Sequence, residues 1–262
     1  MPYRCAVPVY LKQRDPAVPG TIPYALDMFR SEVRFYREIG ATAGVRVPAC
    51  YRAEDNDSGT LLELEDLSGW AEGADPVAAA AMLAGMHELW SGRAHLQWPW
   101  LRSIGAAVEL VEDLYTQTWP QLAPRRDLTK PARDLGERLV GHVAQSEYAT
   151  SLGGPITLAH GDASLINMRT GPDGEIALLD WEDVSAAPGV TDLAWLLVSS
   201  VSPAQWDDVI AGYGTAASGL PHVLPAATVQ GLLSLSDSPD DSADAAAWIE
   251  RVSEAAKRLQ AS

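Results

Sequence analysis

One segment, LAHGDASLINMRTGPDGEIALLDWE (158–182), constrains the fold of this chain more than any other part of the sequence. Two short apolar stretches flank the turn-forming quartet GPDG, a pattern typical of a β-hairpin. Asn167 lies near the start of this hairpin, and Asp180 directly follows its returning strand. We therefore expect the hairpin to bring Asn167 and Asp180 side by side, with Asp162 at the same edge.

These three polar side chains indicate phosphoryl-transfer chemistry. The amide oxygen of Asn167 and the carboxylate of Asp180 are hard oxygen ligands, which suit Mg²⁺. A carboxylate beside such a metal site, here Asp162, can accept the proton of an attacking hydroxyl group. A buried carboxylate without partners is costly, so Asp162 is either satisfied by structural hydrogen bonds or held ready for chemistry.

The first part of the chain offers a cation for the same chemistry. Alternating apolar residues predict a strand over residues 5–12, which ends at Lys12. The next segment, residues 24–39, has the apolar periodicity of a helix, and Glu32 falls inside its apolar stripe. A buried glutamate is rarely left unpaired, so we expect Glu32 to pair with Lys12.

The composition changes once along the chain. Strand-like segments and one helix occupy residues 1–67, and helical patterns dominate residues 68–262, so two domains with these bounds are predicted. Asp75 is expected to cap the first helix of the second part. The helices predicted after the change cover residues 76–90, 104–115 and 130–145. His87 shares a face with apolar residues and is expected to be a packed histidine rather than a ligand or base.

Charge and hydropathy exclude some classes of protein. The net charge of -16 argues against a nucleic-acid binder, which needs a basic face. The charge is uneven, with 10 acidic and 8 basic residues up to Leu67 and 25 acidic and 11 basic residues after it. No apolar run is long enough to span a bilayer and the start lacks a signal-peptide layout, so a cytoplasmic protein is expected. The sequence does not indicate an oligomeric state.

Together these residues resemble the aminoglycoside phosphotransferase and choline kinase superfamily of protein-kinase-like enzymes. The matching residues are Lys12, Glu32, HGDASLIN (160–167), DWE (180–182) and DLAW (192–195). The resemblance implies an α+β, two-lobed protein-kinase-like fold, with a small N-terminal antiparallel sheet plus helix and a larger, mostly helical C-terminal lobe that carries a catalytic hairpin. It also implies ATP (or GTP) and Mg²⁺ as cofactors.

The same resemblance implies a role for each matching residue. Asp162 would be the catalytic base, and Asn167 and Asp180 would bind Mg²⁺. The other implied roles are phosphate contact by Lys12, orientation of that lysine by Glu32, an adenine-contacting hinge that includes Glu65 and Leu67, and structural support of the catalytic loop by His160 and Asp192. Glu182 and Asp183, which adjoin the implied metal ligand, are candidates for substrate contact.

One part of the family pattern is missing. These enzymes normally place a glycine-rich strand–loop–strand over the phosphates before the lysine strand. Here eleven residues precede Lys12, and none is glycine. The N-terminal lobe is therefore predicted to be truncated, and a catalytically degenerate, kinase-like binding protein stays open as an alternative.

The acceptor is predicted to be the hydroxyl group of a small molecule, and a cationic one such as an aminoglycoside or other antibiotic fits the acidic second part. A metabolic kinase for choline, ethanolamine or a sugar is a second possibility. A metal-dependent hydrolase with His160, Asp162 and Asp180 as metal ligands is a third. That reading leaves Lys12 and Glu32 without roles.

Overall fold

The computed structural model describes residues 8–261, a mixed α/β structure with small antiparallel sheets and many helices. The strands are β1 (Val9–Arg14), β2 (Cys50–Asn56), β3 (Gly59–Glu65), β4 (Ala71–Glu72), β5 (Ile156–Ala159), β6 (Met168–Thr170), β7 (Ile176–Leu178) and β8 (Ser185–Pro188). The helices are α1 (Ile22–Ala25), α2 (Met28–Glu38), α3 (Pro76–Trp90), α4 (Ala94–Gln97), α5 (Val108–Leu122), α6 (Lys130–Leu139), α7 (Val143–Ala149), α8 (Val190–Ser200), α9 (Trp206–Tyr213), α10 (Leu220–Leu235) and α11 (Ala243–Ala261).

The first sheet has the antiparallel order β1-β3-β2. Strand β1 begins at Val9, and the earlier residues of the predicted strand lie outside the described residues. Val9 and Leu11 are 49% and 58% exposed, so the apolar face that the alternation indicated does not lie in the core. Within residues 8–261, β1 pairs only with β3, and this edge position explains the exposure. The side chain of Lys12 is the exception, because it turns inward and is only 11% exposed.

Helix α2 packs on this sheet, but the predicted helix over residues 24–39 is wrong as one continuous element. The chain forms the short α1 first and then breaks at Asp27, whose φ of 49° lies in the left-handed region. Aspartate tolerates that conformation better than most residues. The break leaves α2 with a buried stripe that includes Val33, Phe35 and Glu32.

Of the three helices predicted after the first sheet, one is present with the predicted bounds and two differ from the prediction. Helix α3 covers the predicted residues, and the carboxylate of Asp75 accepts a hydrogen bond from the N–H of Ala78, as a cap should. Helix α5 begins later than predicted, because the chain still turns at Gly105, where φ is 80°. The predicted helix over residues 130–145 is two helices, α6 and α7, separated at Gly141 with φ of 72°.

The β6–β7 hairpin, the β5–β8 pair and helix α8 position the candidate site. The predicted hairpin is present as β6 and β7, closed by a hydrogen bond from the N–H of Gly171 to the carbonyl of Glu175. Strand β5 pairs with β8, and buried residues of both strands and of helix α8 belong to one hydrophobic core. Among the described residues, no helix combines the length and hydropathy that a bilayer crossing needs.

Arg46 connects the first sheet to the hairpin. Its carbonyl accepts a hydrogen bond of 2.9 Å from the N–H of Leu178 in β7. Its guanidinium donates to both carboxylate oxygens of Glu65 at the end of β3, at 2.7 and 2.5 Å. One residue therefore bonds to β3 and to the hairpin at the same time.

Candidate active site

The loop after β5 carries the predicted base. Gly161 has a φ of 88°, and a Cβ atom at this position would collide with the backbone oxygen of Asp183. Only glycine therefore fits between His160 and Asp162. The tight turn places the Asp162 carboxylate at the edge where the hairpin ends.

Asp192, in the first turn of α8, holds this loop from below. Its carboxylate is 1% exposed and accepts hydrogen bonds from the backbone N–H groups of His160 (2.7 Å) and Gly161 (2.9 Å). It also contacts Nε2 of His87 at 3.0 Å. Burial raises the pKa of Asp192, but the hydrogen bonds from His87 and from the backbone N–H of His160, together with the electrostatic effect of these two residues, outweigh burial and hold the pKa below its ordinary value. His87 is buried in α3, in agreement with the prediction of a packed histidine.

His160 ties the loop to the hairpin. Its Nε2 donates to the carbonyl of Leu179, the residue before Asp180, at 2.8 Å. Its Nδ1 accepts from the N–H of Asp162 at 3.2 Å. The ring is fully buried and both nitrogens are used within the chain. The structure therefore disfavours the metal-dependent hydrolase, in which His160 would have to ligate a metal.

Both oxygens of Asp162 have a donor. Nδ2 of Asn167 donates to Oδ2 at 2.8 Å, and Nε1 of Trp195 donates to Oδ1 at 2.5 Å. The hydrogen bonds fix the orientation of the carboxylate, as a positioned base requires. The sequence reasoning missed the contact of Trp195. The sequence did carry one indication of it. Trp195 follows Asp192 by three residues in a helix, and residues at that spacing lie on the same face, so Trp195 could be expected near the catalytic loop.

Lys12 lies among three carboxylates. Its Nζ is 2.7 Å from Oε2 of Glu32, 2.7 Å from Oδ1 of Asp180 and 3.5 Å from Oε2 of Glu182. The expected pair with Glu32 is therefore present. Burial lowers the pKa of Lys12, but the carboxylates of Glu32 and Asp180 outweigh burial and raise it. Burial raises the pKa of Glu32 to about 7, although Lys12 opposes the rise.

The same cluster has the chemistry of a cation site. The carboxylates of Glu32, Asp180 and Glu182 have oxygens within 4.8 Å of one another. Oε1 of Glu32 and Oε2 of Glu182 are buried and make no hydrogen bond. Asn167 precedes β6, and its backbone carbonyl accepts a hydrogen bond from the N–H of Leu179. Leu179 directly precedes Asp180, so the hairpin brings the backbone of Asn167 close to that of Asp180. Excess negative charge and the buried Oε1 of Glu32, which has no partner among the described residues, fit a divalent cation.

The other predicted residues are placed as follows. Glu65 ends β3, and its carboxylate is already engaged by Arg46 and by the N–H of Ala49 at 3.0 Å. Burial raises the pKa of Glu65, but these donors outweigh burial and lower it. The side chain of Leu67 is 6% exposed and belongs to the core. Contact of this segment with a nucleotide stays a prediction.

Glu182 and Asp183 form ion pairs with different cations. Glu182 faces Lys12 and Arg14, whose Nη2 lies 3.6 Å away. Asp183 pairs with Arg102 at 2.7 Å, a partner that the sequence did not indicate. The contact of either residue with a substrate stays a prediction, because each carboxylate already has a cation within the chain.

A cavity of about 190 Å³ adjoins the catalytic loop. We call it the helical cavity, because residues of helices α5, α7 and α10 line it together with Gly161, Asp183 and Trp195. The Trp195 side chain that donates to Asp162 is part of this wall. A small molecule in the helical cavity would therefore lie next to a residue that bonds to Asp162.

The chain is similar to known proteins in sequence and in fold. The sequence matches the model described as "Phosphotransferase enzyme family" over residues 14–227. No curated protein matches the sequence.

Several solved structures share the fold at low sequence identity. A microcompartment-associated aminopropanol kinase is 17% identical with a TM-score of 0.56, covering 97% of this chain and 85% of that chain. An aminoglycoside phosphotransferase from Alicyclobacillus acidocaldarius is 16% identical with a TM-score of 0.52, covering 97% and 84%. An AMP-bound spectinomycin phosphotransferase is 11% identical with a TM-score of 0.54, covering 95% and 87%. The predicted two-lobed, protein-kinase-like α+β fold is confirmed, while the domain boundary at residue 67 stays a prediction.

Proposed function

The chain belongs to the phosphotransferase enzyme family, and we propose that it transfers the γ-phosphoryl group of ATP, with Mg²⁺, to a hydroxyl group of a small molecule. That it is a phosphotransferase with an alcohol group as acceptor follows from the family. The choice of ATP and Mg²⁺ rests on the arrangement of Lys12, Asp162 and Asp180. Use of ATP also supports the cytoplasmic location, which we retain as part of the proposal.

Asp162 would act as the base in this reaction. The acceptor oxygen forms a bond to the γ-phosphorus, the bond from that phosphorus to the bridging oxygen of ADP breaks, and the hydroxyl proton passes to the Asp162 carboxylate. Trp195 and Asn167 hold that carboxylate in one orientation throughout. Asp192, by fixing the backbone of residues 160–161, keeps the loop in place.

Asn167 and Asp180 would hold the Mg²⁺, and Glu182 lies close enough to the cluster to assist. A divalent cation neutralises charge on the phosphates. Lys12 would donate to the phosphates while Glu32 keeps its ammonium group in place. The buried oxygens of Glu32 and Glu182 that lack hydrogen bonds support this assignment.

The observation that carries the proposal is the pair of hydrogen bonds that orients Asp162, one from Asn167 and one from Trp195 in the wall of the helical cavity. We expect Asp162→Asn to lower acceptor-dependent ADP release by about 100-fold or more, the typical contribution of a positioned base. Binding of Mg-ATP, measured by calorimetry, should change little, because an asparagine at position 162 keeps a side-chain oxygen that can accept from Asn167 and leaves Lys12 and Asp180 unchanged. Asp173→Asn, in the exposed turn of the same hairpin, is the matched control and should retain full turnover.

Two results would contradict the proposal. Unchanged turnover in Asp162→Asn would remove Asp162 from the role of base. Absence of Mg-dependent ATP binding in the wild-type protein would instead favour the catalytically degenerate binding protein. The acceptor itself, whether an aminoglycoside, an amino alcohol or a sugar, is a separate question.

A further inference from the structure

A buried set of hydrogen bonds links helix α9 to the loop that carries Asp162. The hydroxyl group of Tyr213 lies 2.8 Å from Nδ1 of His87, and Nε2 of His87 lies 3.0 Å from Oδ2 of Asp192. The same Oδ2 accepts the backbone N–H of His160 at 2.7 Å. We call the side chains of Tyr213, His87 and Asp192 the tyrosine network. It ends on the backbone of the catalytic loop, two residues before the proposed base.

The tyrosine network is closed to solvent. Tyr213, His87 and Asp192 are 4%, 6% and 1% exposed. The imidazole of His87 fits against the residue before α8 because that residue is Gly189, where a Cβ atom would collide with the ring. Buried polar atoms need partners within the protein. The hydrogen positions in the network are therefore set by its own three side chains.

These hydrogen positions follow from the two ends of the network. Asp192 is ionised, because its pKa lies below its ordinary value, so its carboxylate only accepts and Nε2 of His87 has to carry a hydrogen. At the other end, burial raises the pKa of Tyr213 and the charge of Asp192 adds to the rise, so the hydroxyl group keeps its hydrogen. Within residues 8–261 this hydroxyl group makes one hydrogen bond, with Nδ1 of His87. Tyr213 therefore donates to Nδ1, since the reverse would leave a buried hydroxyl hydrogen without an acceptor.

The hydrogen bond from Tyr213 thus selects one tautomer of His87, the one with its hydrogen on Nε2. In the other tautomer, the lone pair of Nε2 would face Oδ2 of Asp192. That oxygen also accepts the N–H of His160, so repulsion there would shift the carboxylate away from the catalytic loop. The tautomer of one buried ring is therefore coupled to the position of the loop.

We propose that Tyr213 is a positioning residue for phosphoryl transfer, which acts through the rest of the tyrosine network to hold the catalytic loop and Asp162 in place. The inference rests on the proposed function. The proposed nucleotide contacts, Lys12 and Asp180, lie outside the tyrosine network. Loss of the Tyr213 hydroxyl group should therefore slow the chemical step and leave nucleotide binding unchanged.

Tyr213→Phe is the test variant, because it removes the hydroxyl group and keeps the ring. Tyr115→Phe is the matched control. Tyr115 is also buried, and its hydroxyl group donates to the carbonyl of Gly136 at 2.9 Å. Each variant loses one buried hydroxyl group and one hydrogen bond, so urea unfolding should show similar losses of stability. The tyrosine network is changed in Tyr213→Phe alone.

The tautomer is measured by NMR on the full chain with ¹⁵N-labelled histidine, and His87→Gln assigns the signals of His87. In the wild-type protein we expect the ring hydrogen on Nε2 and none on Nδ1. Tyr213→Phe should show a mixture of tautomers, and Tyr115→Phe should keep the wild-type signals. A hydrogen on Nδ1 in the wild-type protein overturns the proposal.

The position of the loop is measured by amide hydrogen exchange at His160 and Gly161, whose N–H groups donate to Asp192. Tyr213→Phe should raise both exchange rates by about 10-fold or more, because the loop opens locally. Tyr115→Phe should raise them by no more than about twofold, because its hydrogen bond lies outside the network.

The effect on the chemical step is measured with water as the acceptor, as release of inorganic phosphate from Mg-ATP. The water oxygen forms a bond to the γ-phosphorus, the bond to the bridging oxygen of ADP breaks, and a proton of the water passes to Asp162. A displacement of about 1 Å at a reacting group can cost about 100-fold, and a loop displaced for part of the time costs less, so we expect kcat to fall about 10-fold in Tyr213→Phe. KM for Mg-ATP should stay within about twofold, and Tyr115→Phe should leave both constants within about twofold.

The outcomes separate this inference from the proposed function. Equal effects of the two variants on exchange and on kcat would make Tyr213 a merely structural residue and overturn the inference, and so would an unchanged kcat in Tyr213→Phe. If the wild-type protein binds Mg-ATP but releases phosphate too slowly to measure, equal exchange rates in the two variants overturn the inference. Failure of the wild-type protein to bind Mg-ATP in calorimetry overturns the proposed function, while the ring and exchange measurements still report whether Tyr213 positions the loop.

Discussion

Replacing Asp192 by alanine should destabilise the protein more than any surface aspartate can. The change removes a fully buried carboxylate that accepts from the N–H groups of His160 and Gly161 and contacts His87. Each buried donor left without a partner costs about 1–3 kcal/mol. Since water can partly fill the space and such effects are not additive, we expect a loss of roughly 3–5 kcal/mol in the free energy of unfolding, as for a broken buried ion pair.

The matched control is Asp207→Ala. Asp207 lies in the first turn of α9, just as Asp192 lies in the first turn of α8, so the interaction with the helix dipole is similar in both. The carboxylate of Asp207 is 86% exposed and its partner is Arg258, so its loss should cost less than about 1 kcal/mol. Urea unfolding followed by circular dichroism measures both variants. If Asp192→Ala lies within about 1 kcal/mol of Asp207→Ala, the three hydrogen bonds do not contribute as we argue.

Two further predictions concern stability. Hydrogen bonds from Arg125 lower the pKa of Asp127 from 3.8 to about 2, against the effect of burial. Because the pKa of Asp127 is lower in the folded than in the unfolded protein, its ionised carboxylate stabilises the folded state at pH values above about 4. This stabilisation is lost as the pH falls from about 4 towards 2. Because Asp127 lies near the surface, where solvent screens the ion pair, Asp127→Asn should cost about 1 kcal/mol at pH 7 and progressively less below pH 4, as urea midpoints across pH would show; a pH-independent difference would contradict the linkage. Gly85→Ala should raise the unfolding free energy by about 0.5–1 kcal/mol, because the position is exposed within α3 and has open space for a Cβ atom. Gly219→Ala should lower the unfolding free energy by about 1–3 kcal/mol, because the new Cβ atom would collide with the backbone of Gly153. Thermal melts in which Gly219→Ala is the more stable of the two glycine variants would contradict this close contact.

The features that the sequence predicted correctly are those decided within a few residues. The turn quartet GPDG closes the β6–β7 hairpin, and Asp75 caps α3, because a turn and a helix cap depend on adjacent residues. The pairing of Lys12 with Glu32 could also be predicted, since a glutamate on a buried stripe needs a cation. The helix break at Asp27 was missed, because nothing in the apolar periodicity distinguishes a continuous helix from two segments in register.

The features that the sequence did not predict involve residues far apart in the chain. Trp195 contacts Asp162, and Arg102 pairs with Asp183, across separations that periodicity does not address. Tyr213 lies in a helical stretch where it resembles an ordinary core residue. Its contact with His87 depends on how α3 and α9 pack together, which no local pattern encodes. The chemistry of the base could thus be anticipated, but the proposed positioning role of Tyr213 could not.

The double attachment of Arg46 bears on how ligands enter and leave. Its carbonyl is bonded to Leu178 in the hairpin, and its guanidinium is bonded to Glu65 at the end of the first sheet. A displacement of the first sheet relative to the hairpin would therefore break one of these attachments or pivot near Arg46. The ion pair between Lys12 in β1 and Asp180 after β7 joins the same two parts of the chain. The sheet and the hairpin are thus held together at two points, and the strength of the Lys12–Asp180 pair would set how readily they separate.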